Sequence, residues 1–162
     1  MALIRTGEID CYISEDNVAL DYIDLPELAI TEIIGFSKSI NPVIGQPLRQ
    51  EDINAATKLI MVLSKMDEKT MPQKPLLFEI AYIDVSNFAG RKSSTSPHII
   101  LITKDGTQVY WGAAYGHSNR YLEASEQEKI AKLYQFYAEN KTLTGLVKYI
   151  ELRRPEKAIP QP

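Results

Sequence analysis

The sequence is short of the residues that carry most protein chemistry. Cys11 is its only cysteine, and His98 and His117 are its only histidines. A single thiol excludes an intrachain disulfide and a thiolate metal cluster. Neither histidine has a carboxylate or cysteine at a ligand spacing such as HExxH, so no metal site is expected. The eight glycines never form G-x-G-x-x-G or a P-loop, which leaves nucleotide phosphates without a cradle. There is no G-x-S-x-G nucleophile elbow either, and the expectation is a chain with no catalytic residue and no cofactor. No apolar run approaches the roughly 18 residues of a membrane-spanning helix, and residues 1–10 lack the apolar centre of a signal peptide. The 18 basic residues face 21 acidic ones, a net charge of −3, with no basic block, so nucleic acid is not an expected partner. One cysteine is compatible with the cytosol and with a periplasm alike.

What the 162 residues do contain is enough for one domain with a real hydrophobic core. Residues 8–13 alternate polar and apolar as a half-buried strand, residues 14–17 form a turn signal, and residues 18–22 return as the second strand of a hairpin. The strand begins almost without a lead-in, as if a larger protein had been cut here, and Met1 to Leu3 are read as partly foreign to the natural chain. An apolar run over residues 28–36 carries a stop or bend at Gly35, and residues 37–48, with Pro42, Gly45 and Pro47, read as a loop. Ile53, Ala56, Ile60 and Leu63 recur at helical spacing, which predicts a helix over 49–66, with Glu51 and Asp52 at its positive end. Residues 67–75 form a linker closed by Pro72 and Pro75. Residues 76–85 alternate around Phe78, Ile80, Tyr82 and Asp84 as a strand, and the polar residues 88–97 read as a mobile loop.

The strongest local signal is the hairpin of residues 98–112, in which Asp105-Gly106 supplies the positive φ angles of a tight turn between apolar strands. A second helix over 125–140 opens on Ser125 with Glu128 three residues later, the pattern of a capping box, and turns Ile130, Leu133, Tyr134 and Tyr137 to one face. Residues 146–153 form the last strand, after which Pro155, Pro160 and Pro162 work against regular pairing. The order predicts an α+β fold, a mixed or antiparallel sheet with two main helices, in a single domain over 1–162.

The titratable and aromatic residues have ordinary structural readings. Asp84 ends a strand, Asp105 serves a turn, and Glu151 alternates with Ile150 and Leu152 on a polar strand face. His98 reads as an edge or surface residue after Pro97, and His117 as a solvated loop residue. An enzyme using Asp84, His117 and Glu151 is the minor reading. Tyr110, Trp111, Tyr134, Phe136 and Tyr137 lack interleaved basic residues and so read as core or as a protein interface rather than a base-stacking platform.

Read in order, several segments resemble the extracytoplasmic β domain of the bacterial cell-division family FtsQ, called DivIB in Gram-positive bacteria. Residues 11–18 are similar to the hairpin that opens that domain, with Asn17 where glycine is usual. Leu25-Pro26 and Ile33-Ile34-Gly35 resemble its "LP.I.G" segment, residues 45–63 its first helix, and residues 78–85 the strand that follows. Residues 103–112 resemble its lysine–aspartate–glycine hairpin. Lys129, Lys132 and Leu133 fall where the family has its second helix pattern, and Tyr149-Ile150-Glu151-Leu152-Arg153 matches its "YIDLR" strand.

The resemblance implies a non-enzymatic scaffold of the divisome, on the periplasmic side of the inner membrane. Its membrane anchor and POTRA domain would lie upstream of this sequence, and its partners would be other division proteins such as FtsB and FtsL. It implies binding by strand addition at a sheet edge, which carries the partner-binding role onto Tyr149, Ile150, Glu151, Leu152 and Arg153. The aromatic side of the Tyr110-Trp111 strand adds Trp111 to that surface. A protein-binding module of another envelope assembly or secretion system is the alternative. On the cell-division reading, charge at Tyr149 or Leu152 is expected to abolish binding and leave the domain folded.

Overall fold

The structure is a computed structural model, which describes residues 1–25, 28, 30–37 and 40–154. Its frame is one mixed sheet of eight strands: β1 (Ala2–Arg5), β2 (Asp10–Ile13), β3 (Ala19–Asp21), β4 (Thr31–Ile34), β5 (Ile80–Asp84), β6 (Ile99–Thr103), β7 (Gln108–Gly112) and β8 (Tyr149–Glu151). Their spatial order is β3-β2-β1-β4-β5-β6-β7-β8. The pairs β1/β4, β4/β5 and β7/β8 are parallel, and the others antiparallel. Two helices, α1 (Glu51–Thr70) and α2 (Glu126–Asn140), complete the α+β fold expected from the order of elements. Parallel neighbours need a crossover, and α1 supplies it between β4 and β5, as α2 does between β7 and β8.

The register explains why the sheet holds together as one layer. Cys11, Ile4, Ile33, Ile83, Leu101, Val109 and Ile150 are successive cross-strand partners from β2 to β8, and each is 0% exposed. That row packs in one core with Ile53, Leu59 and Leu63 of α1 and Leu133, Tyr134 and Tyr137 of α2, so both helices cover the same face. Burying each of these aliphatic side chains contributes about 1.5–3 kcal/mol. The opposite row, Tyr12, Leu3, Glu32, Tyr82, Ile102, Gln108 and Tyr149, turns to the other face.

Several local expectations change. Residues 2–5 are not a lead-in. They form β1, paired on both sides near the middle of the sheet, with Ala2 and Ile4 fully buried. The first helix continues to Thr70 because Asp67 turns inward, accepting the Leu76 and Leu77 N–H groups at 2.9 and 3.0 Å and the Tyr134 hydroxyl at 2.8 Å. One carboxylate thereby ties α1, α2 and the 3-10 turn Leu76–Glu79 together. Phe78 consequently lies in that turn, not in a strand, and a bulge between Ile80 and Tyr82 makes Ile83 the next core residue.

The loop after β5 is also more closely tied than its composition suggests. Asn87 donates to the carbonyls of Ser93, Ser96 and Pro97 and accepts from the N–H groups of Lys92 and Ser93. Arg91 bonds the Asp52 carboxylate and the Gly35 carbonyl. At the Asp105-Gly106 turn only Gly106 has a positive φ, since Asp105 instead accepts the Thr107 N–H at 3.1 Å. The "LP" half of the Leu25-Pro26 resemblance and the tail after Arg154 include Pro26 and residues 155–162, which lie outside the described residues.

Candidate functional site

β8 ends the sheet, and the six residues expected to bind a partner prove to be of two kinds. Trp111, Ile150 and Leu152 are core: they are 0%, 0% and 1% exposed, and their side chains reach no surface. This corrects the expectation for Trp111 as a contact residue and for Leu152 as a position that tolerates charge, because a charge there would be buried without a partner. Tyr149 and Arg153 are half-buried at the surface, and Glu151 is buried beside Arg153. The Tyr149 ring stacks on Tyr110 of β7 with centroids 4.8 Å apart and planes 17° from parallel.

Alternation in a parallel ladder decides which backbone groups face outward. The Leu152 N–H donates to the Tyr110 carbonyl, so Ile150 and Leu152 pair inward with β7 while the backbone of Tyr149 and Glu151 faces out. Part of that outer edge is engaged by the chain itself. Lys132 Nζ donates to the Glu151 carbonyl at 2.9 Å, and the Arg153 N–H donates to the Glu151 carboxylate at 2.9 Å. An incoming strand that pairs beyond Tyr149 must displace the Lys132 ammonium. Such side-chain cover is how natural edges avoid indiscriminate pairing.

Beyond β8 two charge pairs set the electrostatics. Arg153 grips Glu151 through Nε and Nη2 at 3.0 and 2.9 Å and reaches the Thr95 carbonyl through Nη1 at 3.0 Å. Burial opposes ionisation of Glu151, but the hydrogen bonds from Arg153 outweigh it and hold the carboxyl below its usual range. Those same bonds push the Arg153 guanidinium up. Lys129, 0% exposed on α2, donates to Glu123 at 2.6 Å and to the Ser118 hydroxyl at 3.0 Å, with its ammonium 5.3 Å from the Trp111 ring centroid. Glu123 also accepts the Ala113 N–H at 2.9 Å. Gly112 (φ +91) permits this approach, because a side chain there would overlap the Glu123 carboxylate. Sequence spacing alone could not have paired Glu123 with Lys129 across a helix cap; a lysine on an otherwise apolar helix stripe was the one available signal.

The residues of the minor enzymatic reading are not gathered. Asp84 and Glu151 lie in one cross-strand row, joined through Ile100 and Tyr110, and so about 14 Å apart at ordinary strand spacing. His117 is exposed in the loop after β7. His98 is buried, 5% exposed, with its ring edge-on to Tyr121 at 4.5 Å, and burial pushes its pKa down. No family model matches the chain, and no curated protein matches it. Among the described residues no helix is long and apolar enough to cross a membrane.

Proposed function

We propose that this chain is an extracytoplasmic scaffold domain of the FtsQ/DivIB type, which binds other proteins of the bacterial cell-division machinery and catalyses no reaction. The observation that carries the reading is β8, a short terminal strand laid parallel on β7. Its outward backbone begins at Tyr149, beside the stacked Tyr110 ring. Strand addition there would draw affinity from main-chain hydrogen bonds and specificity from the Tyr149 side of the edge. The segments that resemble the family support the same reading, in particular the run from Tyr149 to Arg153 and the Asp105-Gly106 hairpin. FtsB- and FtsL-like proteins are the proposed partners, on the periplasmic side of the inner membrane.

Affinity purification of the full-length protein, co-expressed with the FtsB- and FtsL-like proteins of its own genome, tests this. Retention of both, reduced at least tenfold by Tyr149→Glu with an unchanged circular dichroism spectrum, is the expected result. Retention of neither would refute the cell-division role; retention that Tyr149→Glu leaves intact would refute the edge.

A further inference from the structure

Leu122 is anomalous twice over. It is 95% exposed, and it has left-handed backbone angles, φ 54° and ψ 37°. A left-handed conformation strains an L-residue of this kind in a way that glycine escapes, and full exposure forgoes the burial of an isobutyl group. The turn itself is accounted for: the N–H groups of Leu122 and Glu123 return to the carbonyls of Asn119 and Ser118, which delivers Glu123 to Lys129. That accounts for the conformation and leaves the leucine side chain without a role in the described fold. Strain of this sort concentrates at binding sites.

Beside Leu122 lies a cavity of about 300 Å³, lined by residues 94–96, His98, residues 121–123 and Arg153 and Arg154. Its acids are already neutralised, Glu123 by Lys129 and, next to it, Glu151 by Arg153. Arg154 is exposed on the lining, and Arg120, also exposed, lies with its guanidinium 6.0 Å from the Tyr121 ring centroid. The rim is therefore cationic, and the exposed hydroxyl residues Ser94, Thr95 and Ser96 add polar groups able to bond a carboxylate.

From these features we infer that the notch at the C-terminal end of β8 docks an acidic peptide segment of a partner protein, with an apolar side chain on Leu122 and a carboxylate at Arg154. The complementarity lies in charge and in the placement of one exposed apolar side chain, Leu122, on the same lining as the exposed Arg154. It goes beyond the cell-division reading and holds for any partner with that chemistry.

Three peptides titrated into the isotopically labelled chain, read by amide chemical shifts, test the inference. They are the capped pentapeptide Ala-Leu-Ser-Glu-Ala, its counterpart with glutamine for glutamate, and the tripeptide Ala-Ser-Leu with a free carboxyl end. The capped acidic peptide should perturb residues 94–96, 120–123 and 153–154, and the glutamine peptide should bind at least fivefold more weakly. The free-carboxyl peptide should bind more weakly than the capped acidic one, and tighter binding of it would overturn the assignment of an acidic side chain as the source of the carboxylate. Arg154→Glu should weaken binding at least tenfold. Leu122→Gly should weaken it at least fivefold while leaving Tm unchanged or raising it by up to about 4 °C, since strain is released. Equal binding of the glutamate and glutamine peptides, shifts confined to other regions, or a Leu122→Gly variant with full affinity or a lowered Tm would overturn the inference.

Discussion

Lys129 shows how much a single residue can be set by its surroundings. An ammonium that is fully buried is stable only when its charge is met, and here Glu123, the Ser118 hydroxyl and the face of Trp111 meet it. The buried Trp111 Nε1 has no hydrogen-bond partner among the described residues, so the indole contributes packing and its ring face rather than its donor. Replacing the lysine by a side chain of similar length without charge leaves the half-buried Glu123 carboxylate without its ion partner. We predict that Lys129→Met lowers the free energy of unfolding by about 3–5 kcal/mol, measured by urea denaturation. A loss below 1 kcal/mol would show that the pair contributes little.

Among the elements, α2 has the most explicit local instructions. The capping box read from Ser125 and Glu128 is formed, with the Ser125 hydroxyl accepting the Glu128 N–H and the Glu128 carboxylate accepting the Ser125 N–H. Glu126 was not singled out by spacing. Its carboxylate reaches back ten and eight residues to the N–H groups of Gly116 and Ser118, at 2.9 and 3.2 Å. Burial works to raise its pKa, but hydrogen bonding from Ser118 and the backbone outweighs that and holds the group down to about 2. A carboxyl depressed in the folded state stabilises fully above its unfolded pKa, near 4.3. That contribution is lost as pH falls toward 2. We predict that Glu126→Gln destabilises the protein by about 1–2 kcal/mol at pH 7, and that the gap in Tm between variant and wild type closes between pH 4.5 and pH 2. A gap constant over that interval would show that the charge of Glu126 is immaterial.

For the whole molecule the decisive strand is β1. It pairs antiparallel with β2 and parallel with β4, so it alone joins the β2/β3 hairpin to the remainder of the sheet. Ala2, Leu3 and Ile4 are 0%, 8% and 0% exposed. Removing residues 1–5 would open the core row at Ile4 and present both Cys11 and Ile33 to water. We predict that the truncated chain does not fold cooperatively, seen as loss of the thermal unfolding transition by circular dichroism. A sharp transition with native-like amplitude would show that the sheet closes without β1.

How much of this was legible depended on whether the signal was local. The Asp105-Gly106 hairpin, the Ser125 cap and the Ile53, Ala56, Ile60 and Leu63 stripe are local, and the α+β class follows from their order. Three features needed the fold. Ala2–Arg5 is too short and too little alternating to declare itself, and only strands on both sides make it central. The strand from Tyr149 to Glu151 looks amphipathic in sequence, yet Leu152 beyond it is as buried as Ile150 because β7 and α2 close over it. Glu123, Lys129, Glu151 and Arg153 are four ordinary surface charges by composition. Burial against Trp111 and the loop at Thr95 turns them into two fixed pairs. The chain by itself therefore determined its helices, its hairpin and its lack of familiar catalytic spacing. Tertiary structure alone decided which side chains of the last strand reach the surface, since exposure at a sheet edge is a property of neighbours contributed by distant residues.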